Sequence, residues 1–220
     1  MKIRTSRLLL LLLLVAGLLL AGCADQTGMQ QQLQEKDARI AELEEQLAGW
    51  ERLSDQQPLP SALKVIRLLR DKDFAGVADW VHPDKGLRFT PYAFIEVEKD
   101  RRFSAEEVAG LMGDETVYEW GFYDGSGEPI ELTFADYYQR FVYDQDFVNA
   151  QVIGNNYSVS YGNTIDNIGE AYPDGKYIEF YFPGLHPEYG GADWRSLRTV
   201  FEQENDTWYL VGIVHSEWTI

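Results

Sequence analysis

From Leu8 to Leu20 the chain is an almost unbroken run of leucine, opened by Lys2, Arg4 and Arg7 and closed by the small residues Ala21 and Gly22. A basic opening, an apolar stretch of roughly 7 to 15 residues and a small-residue cleavage point are the grammar of a secretory signal. The run falls short of the ~20 apolar residues that span a bilayer as a permanent helix, which leaves a retained transmembrane anchor as the alternative. Residues 1–22 are read as a signal peptide that takes no part in the folded domain, and everything after them as extracytoplasmic.

Leu20-Ala21-Gly22-Cys23 resembles the lipobox of bacterial lipoproteins. The resemblance implies that the Cys23 sulfur is diacylated, with fatty chains of the palmitate type, and that this residue becomes the first of a mature protein anchored to a cell-envelope membrane. Cys23 is the sole cysteine, so no disulfide framework is available to the domain. Each buried methylene contributes roughly 0.8 kcal/mol, which is why two acyl chains hold a protein on a membrane stably where one holds it marginally.

Removing Lys2, Arg4 and Arg7 leaves 16 of the 19 basic residues against 36 acidic ones, a net charge of −20 for the mature chain. Nucleic acid, whose binding depends on Lys and Arg displacing counterions, is an unsuitable partner for such a surface. Cations, basic partners and neutral ligands stay open, as does a charge that serves solubility alone.

Residues 29–53 are rich in Gln and Glu, with Leu33, Ile40 and Leu47 seven apart and Met29, Leu43 and Trp50 continuing a second seven-residue series interrupted at Lys36. Two interleaved heptad series are the a and d positions of a coiled coil, and they suggest a homo-oligomer. Arg39 at g and Glu44 at the following e are placed to pair across a parallel partner. Three heptads are marginal alone, and an amphipathic helix lying on the chain's own domain or a solvated spacer fits the same pattern. Pro58 and Pro60 end the stalk. The domain organisation expected is signal peptide 1–22, lipid-anchored stalk and linker 23–59, and globular domain 60–220.

Within the domain, Ala62, Val65, Ile66, Leu68 and Leu69 have helical spacing, and Asp73 caps a second helix toward Trp80. Gly86 to Thr90 and Phe94 to Val97 read as short strands around Pro91. Ser104-Ala-Glu-Glu107 is a capping box, Thr116 to Tyr123 a strand, Asp124-Gly-Ser-Gly127 a turn, and Thr133 a helix start. Tyr177 to Phe182, Leu197 to Phe201 and Trp208 to Val214 are β-type runs, the last two joined across Glu202 to Asp206. Simple alternation puts Trp208, Leu210, Gly212 and Val214 on one face of the final strand and Tyr209, Val211, Ile213 and His215 on the other. Because both faces are largely apolar, the strand is expected to be central. Helices first and strands later predict an α+β domain with a curved antiparallel, mostly sequential sheet.

The closing pair, Trp194 to Phe201 and Trp208 to Ile220, resembles the cone-shaped fold of the nuclear-transport-factor-2-like superfamily. The segments Trp80 to Tyr92, Trp120 to Ile130 and Trp208 to Ile220 resemble a family of uncharacterised bacterial lipoproteins. That likeness implies location and domain extent, and brings no chemistry with it.

The three histidines are His82, His186 and His215. His215 and Glu217, two apart on a strand, project to one side and form a usable acid-base or ligand pair, which His82 with Asp84 would have to complete. A structural histidine near a strand end is the competing reading. Asp124-Gly-Ser-Gly-Glu128 has the alternating oxygens of a calcium loop, but Pro129 stands where the turn needs Gly and Ala135 where a bidentate Glu belongs. No G-x-S-x-G elbow, Walker loop, dinucleotide fingerprint or H-E-x-x-H helix occurs, so no metal or other cofactor is expected. Among the many aromatics, Tyr92 and Trp120 together with Asp124 are candidates for a ligand pocket, although most aromatics in a domain of this size serve the core. These features favour a non-enzymatic binding module over a small hydrolase or isomerase using His82 or His215 with Asp84 or Glu217.

Overall fold

The computed structural model describes residues 28–47, 49, 57–162 and 164–219, which belong to two units, 1–53 and 54–220. The signal run, Cys23 and Trp50 lie outside the described residues. In the first unit, α1 (residues 28–47) is a single helix on which Met29, Leu33, Ile40, Leu43 and Leu47 are all exposed. Arg39 Nη1 donates to Glu42 Oε2 at 2.5 Å, one turn on in the same helix. Among the described residues no helix is long and apolar enough to cross a membrane.

The second unit is a mixed α+β domain. Its helix α2 (Leu59–Arg70) starts with a proline in the first turn and buries Ala62, Val65, Ile66 and Leu69, the i, i+3, i+4, i+7 stripe of a core-facing helix. The start at Leu59 places Pro60 inside the helix, where the missing donor costs nothing. A short α3 (Phe74–Ala78) follows, with the Asp73 carboxylate accepting from Gly76 N at 2.9 Å. The six-stranded sheet is built from β1 (Leu87–Thr90), β2 (Arg102–Phe103), β5 (Val152–Asn155), β6 (Lys176–Phe182), β7 (Arg195–Glu204) and β8 (Thr207–Glu217), in the order β2-β1-β8-β7-β6-β5. A separate hairpin pairs β3 (Tyr118–Phe122) with β4 (Pro129–Leu132). The helices α4 (Ala105–Gly110), α5 (Phe134–Phe141) and α6 (Ile168–Ala171) complete the domain. Ser104 and Glu107 form the expected capping box on α4, and Thr133 caps α5.

Three expectations need correction. The sheet is not wholly antiparallel, because β8 enters beside β1 and runs parallel to it, Arg88 to Thr90 facing Gly212 to Val214. No hairpin joins two strands so far apart in the chain, so no local turn chemistry reveals their relative direction. Simple alternation in β8 fails as well. Phe201 faces Leu210 while the preceding Val200 faces Gly212, so Val211 is an extra residue. Such a bulge flips the alternation. Leu210 and Ile213 therefore share the main core, and Val211 and Val214 the opposite face. Finally, Phe94 to Val97 is no strand. Side chains take the backbone groups a ladder would have used: Asn167 accepts from Ile95 N and donates to Ile95 O, and Asp100 Oδ2 accepts from Glu96 N.

The hairpin joining β7 to β8 turns at Asn205 and Asp206, both left-handed at φ 49° and 61°, the backbone of a type I′ turn. One face of the sheet carries the main core, rich in edge-to-face aromatic contacts such as Phe89 to Phe134 at 5.2 Å, with Trp120 stacked on Tyr137 at 3.9 Å. Tyr138 on α5 donates to Leu69 O at 2.6 Å and ties that helix to α2. The other face has a smaller cluster, Ile95, Ile168, Tyr172, Val200, Val211 and Val214. The 91–100 loop and α6 thus cover the back of the sheet.

Candidate functional site

A cleft of about 530 Å³ opens where β1 ends, between the 91–100 loop and the β3–β4 hairpin. Its walls include Tyr92, Phe94, Trp120, Phe122 and Tyr123, with the carboxylates of Glu96, Asp100 and Asp124. Among the described residues, no Lys, Arg or His lines it. All three residues singled out from the sequence as ligand candidates, Tyr92, Trp120 and Asp124, meet here. The Tyr92 hydroxyl accepts from Asp124 N at 3.3 Å, which fixes the hairpin turn against the loop. Gly121, at φ 114° within the irregular stretch of β3, permits a backbone that L side chains rarely adopt. Trp120 is buried, donates its indole N–H to Leu132 O at 2.9 Å and forms the rigid back wall. Phe94 and Phe122 are the opposite case, 46% and 53% exposed at the rim, so apolar surface is presented to whatever enters.

Asp100 is the residue of this cleft that the sequence did not mark. Its Oδ2 accepts from Thr90 Oγ1 at 2.7 Å and from Glu96 N at 3.0 Å. Burial pushes its carboxyl up to about 6, against the pull of those two bonds and of the Arg88 charge. Behind it the Tyr137 hydroxyl is buried with no hydrogen-bond partner among the described residues. Burial first, then the charges of Asp100 and Tyr92, hold that phenol well above its ordinary range. Glu96 is ion-paired with Lys99 on the solvent side. Asp124 Oδ1 accepts from Gly125 N at 3.0 Å, an Asp bonding within its own turn.

The four acid-base candidates go elsewhere, and none of them lines the cleft. His82 is buried beside Leu210, its Nδ1 accepting from Asp84 N and Lys85 N at 3.2 Å each and its Nε2 3.7 Å from Glu204. Asp84 therefore meets His82 through its backbone. His186 is exposed, with Nδ1 3.0 Å from Asp193 Oδ2. His215, five residues along β8 from Leu210, is fully buried, with Nδ1 3.1 Å from Pro91 O and Nε2 3.3 Å from Asp144 Oδ2.

Glu217 does share the side of His215, as the two-residue spacing requires. Together with Asp144 they offer ligand atoms all within 4.8 Å of one another. Two guanidiniums already occupy that cluster. Arg195 reaches Asp144 and Glu217 at 3.0 Å each, and Arg140 bonds both oxygens of Glu217. Burial alone would raise the Asp144 carboxyl, but the His215 ring and the charges of Arg195 and Arg140 outweigh it and hold Asp144 below the usual carboxylate range. With each carboxylate matched by an arginine and each ring nitrogen facing an oxygen, the cluster works as a clasp between α5, β7 and β8. Neither Asp144 nor the two arginines carry a local sequence signal, since they come from separate elements.

No protein-family model, curated protein or solved structure matches this chain.

Proposed function

We propose that the protein is a lipid-anchored component of a bacterial cell envelope, raised on a self-associating stalk, whose domain is a non-enzymatic binding module for a small organic cation. The leader, the lipobox-like segment ending in Cys23 and the heptads of residues 29–53 support the address and the stalk. The order of elements supports a cone-like domain of the nuclear-transport-factor-2-like kind.

One observation carries the ligand class: aromatic residues and three acidic residues line a cleft that, among the described residues, has no basic side chain in its lining. Aromatic faces attract ammonium and guanidinium groups by about 0.5–2 kcal/mol each, and more as water is excluded. Asp100 supplies a carboxylate at the inner wall, while Phe94 and Phe122 supply apolar surface for the rest of the ligand. Catalysis has no such support, because His82 and His215 lie apart and neither reaches the cleft.

Titration of the purified full-length chain with putrescine, choline and lysine amide, read by calorimetry and Trp fluorescence, tests the reading. At least one amine is expected to bind, and Tyr92→Ala or Asp100→Asn to weaken it tenfold or more. Saturable binding of an anionic ligand at that cleft, or turnover of ester, glycoside or peptide substrates lost in His215→Ala, would replace it.

A further inference from the structure

A second site, independent of the cleft, lies on the other face of the sheet. Arg88 on β1 is 2% exposed, yet among the described residues it forms no ion pair. Its Nη2 donates to Val97 O at 3.1 Å, its Cζ lies 5.4 Å from the centroid of the Tyr172 ring, and its buried Nε has no hydrogen-bond partner among the described residues. The other buried or half-buried arginines are treated differently. Arg198 meets Glu179 at 3.1 Å and Asp166 at 2.8 Å, and Arg140 and Arg195 meet Glu217 and Asp144. A buried guanidinium without a counterion is costly enough that folded proteins almost always supply one.

The strand register sharpens the point. Arg88 stands directly opposite Arg102 across the antiparallel β1–β2 pair, and like charges in that position repel. Both line a small cavity of about 100 Å³ with Lys85, Tyr172 and Glu202. Glu202 is committed to Lys85, so the lining keeps an excess of positive charge in a protein that is otherwise strongly acidic. Gly212 belongs to the same construction, because a Cβ there would stand 2.5 Å from the Tyr172 hydroxyl and push that ring out of the wall. Asp100 feels the Arg88 charge but forms no ion pair with it among the described residues, its carboxylate bonding Thr90 and Glu96 N instead.

We propose that this cavity binds one phosphate group, free or as a monoester, clamped between Arg88 and Arg102. A phosphate has enough acceptor oxygens to meet the Arg88 and Arg102 guanidiniums together, and it relieves the repulsion across the strand pair. The cavity volume suits a single such group and no larger body.

Thermal unfolding of the purified full-length chain in chloride, acetate and inorganic phosphate at one ionic strength tests this. Phosphate at about 20 mM is expected to raise Tm by about 3–6 °C in a saturable way, with little response to acetate. Arg88→Met abolishes the rise. Should that variant fail to fold, Arg102→Met, a change at an exposed side chain, weakens the phosphate midpoint at least tenfold. Glycerol 1-phosphate matching inorganic phosphate assigns the site to esters, and a response to inorganic phosphate alone assigns it to the free ion. A phosphate shift no larger than that of acetate, or one undiminished in the variants, overturns the proposal.

Discussion

The cleft and the clasp are both made of carboxylates and lie within a few residues of each other, joined through Pro91, which lines the first and accepts from His215 in the second. They differ in who supplies the positive charge. In the clasp, Arg140 and Arg195 neutralise Glu217 and Asp144 from within the fold. In the cleft, among the described residues, Asp100 and Asp124 form no ion pair, Asp100 feeling Arg88 only as a charge beyond contact, and Glu96 pairs only with Lys99 at the surface. A carboxylate that brings its own arginine is part of the scaffold, and one left without an ion pair beside aromatic rings is where the proposed ligand would supply the missing charge.

Breaking the clasp has the largest expected effect. Arg195→Met leaves Asp144 and Glu217, both largely buried, short of a shared cation. Loss of one partner of a buried charge network costs about 3–5 kcal/mol, so chemical denaturation should show a fall of that order. Amine binding in the cleft, measured where the variant is still folded, is expected to stay within a factor of two. A stability change under 1 kcal/mol would mean that the clasp is solvated and that the contrast with the cleft is false.

The cleft responds in the opposite sense. Because the folded-state pKa of Asp100 lies above its unfolded value of 3.8, the native state binds the proton more tightly. Its contribution to stability is therefore complete below about 3.8 and is lost as pH rises through about 6. Asp100→Asn is expected to flatten the fall in stability between those limits and to gain about 1–2 kcal/mol at pH 7.5, part of the gain being offset by weaker bonds to Thr90 and Glu96. Affinity for an amine moves the other way in the native protein, tightening several-fold from pH 5 to pH 7.5 as the carboxylate ionises. A pH-independent affinity would remove Asp100 from the binding site.

This contrast also explains what was legible in the sequence. Tyr92, Trp120 and Asp124 could be chosen because each sits beside a turn or strand end with its own local grammar, and the capping box at Ser104 and the caps at Asp73 and Thr133 were readable for the same reason. The α+β class followed from periodicity. Asp100 was not legible, because in Lys99-Asp100-Arg101-Arg102 it looks like any solvated charge, and only the folded loop brings Thr90 and Glu96 to it. The pairing of Asp144 with His215, 71 residues apart, and of Glu217 with Arg140, 77 apart, depends on tertiary placement. The bulge at Val211 was hidden because both faces of β8 are apolar, so a slip of the alternation leaves no polar residue misplaced.

The smallest expected effect concerns salt. The Debye length falls from about 14 Å at 0.05 M to about 4 Å at 0.5 M ionic strength, which screens charges open to water far more than charges buried against each other. The rim carboxylates of the cleft, Glu96 and Asp124, lie in the first class, and Asp144 and Glu217, with side chains 12% and 6% exposed, in the second. Raising salt across this range should weaken amine binding about three- to fivefold, while the stability difference between the native chain and Arg195→Met changes by no more than about 0.5 kcal/mol. Affinity that ignores salt would place the binding energy in the rings of Tyr92, Phe94 and Trp120 rather than in the carboxylates, turning the ligand from a cation into a neutral aromatic or sugar-like molecule. A clasp as salt-sensitive as the cleft would show that the two sets of carboxylates differ in partners but not in exposure to water, and the division between scaffold and binding charge would then rest on the arginines alone.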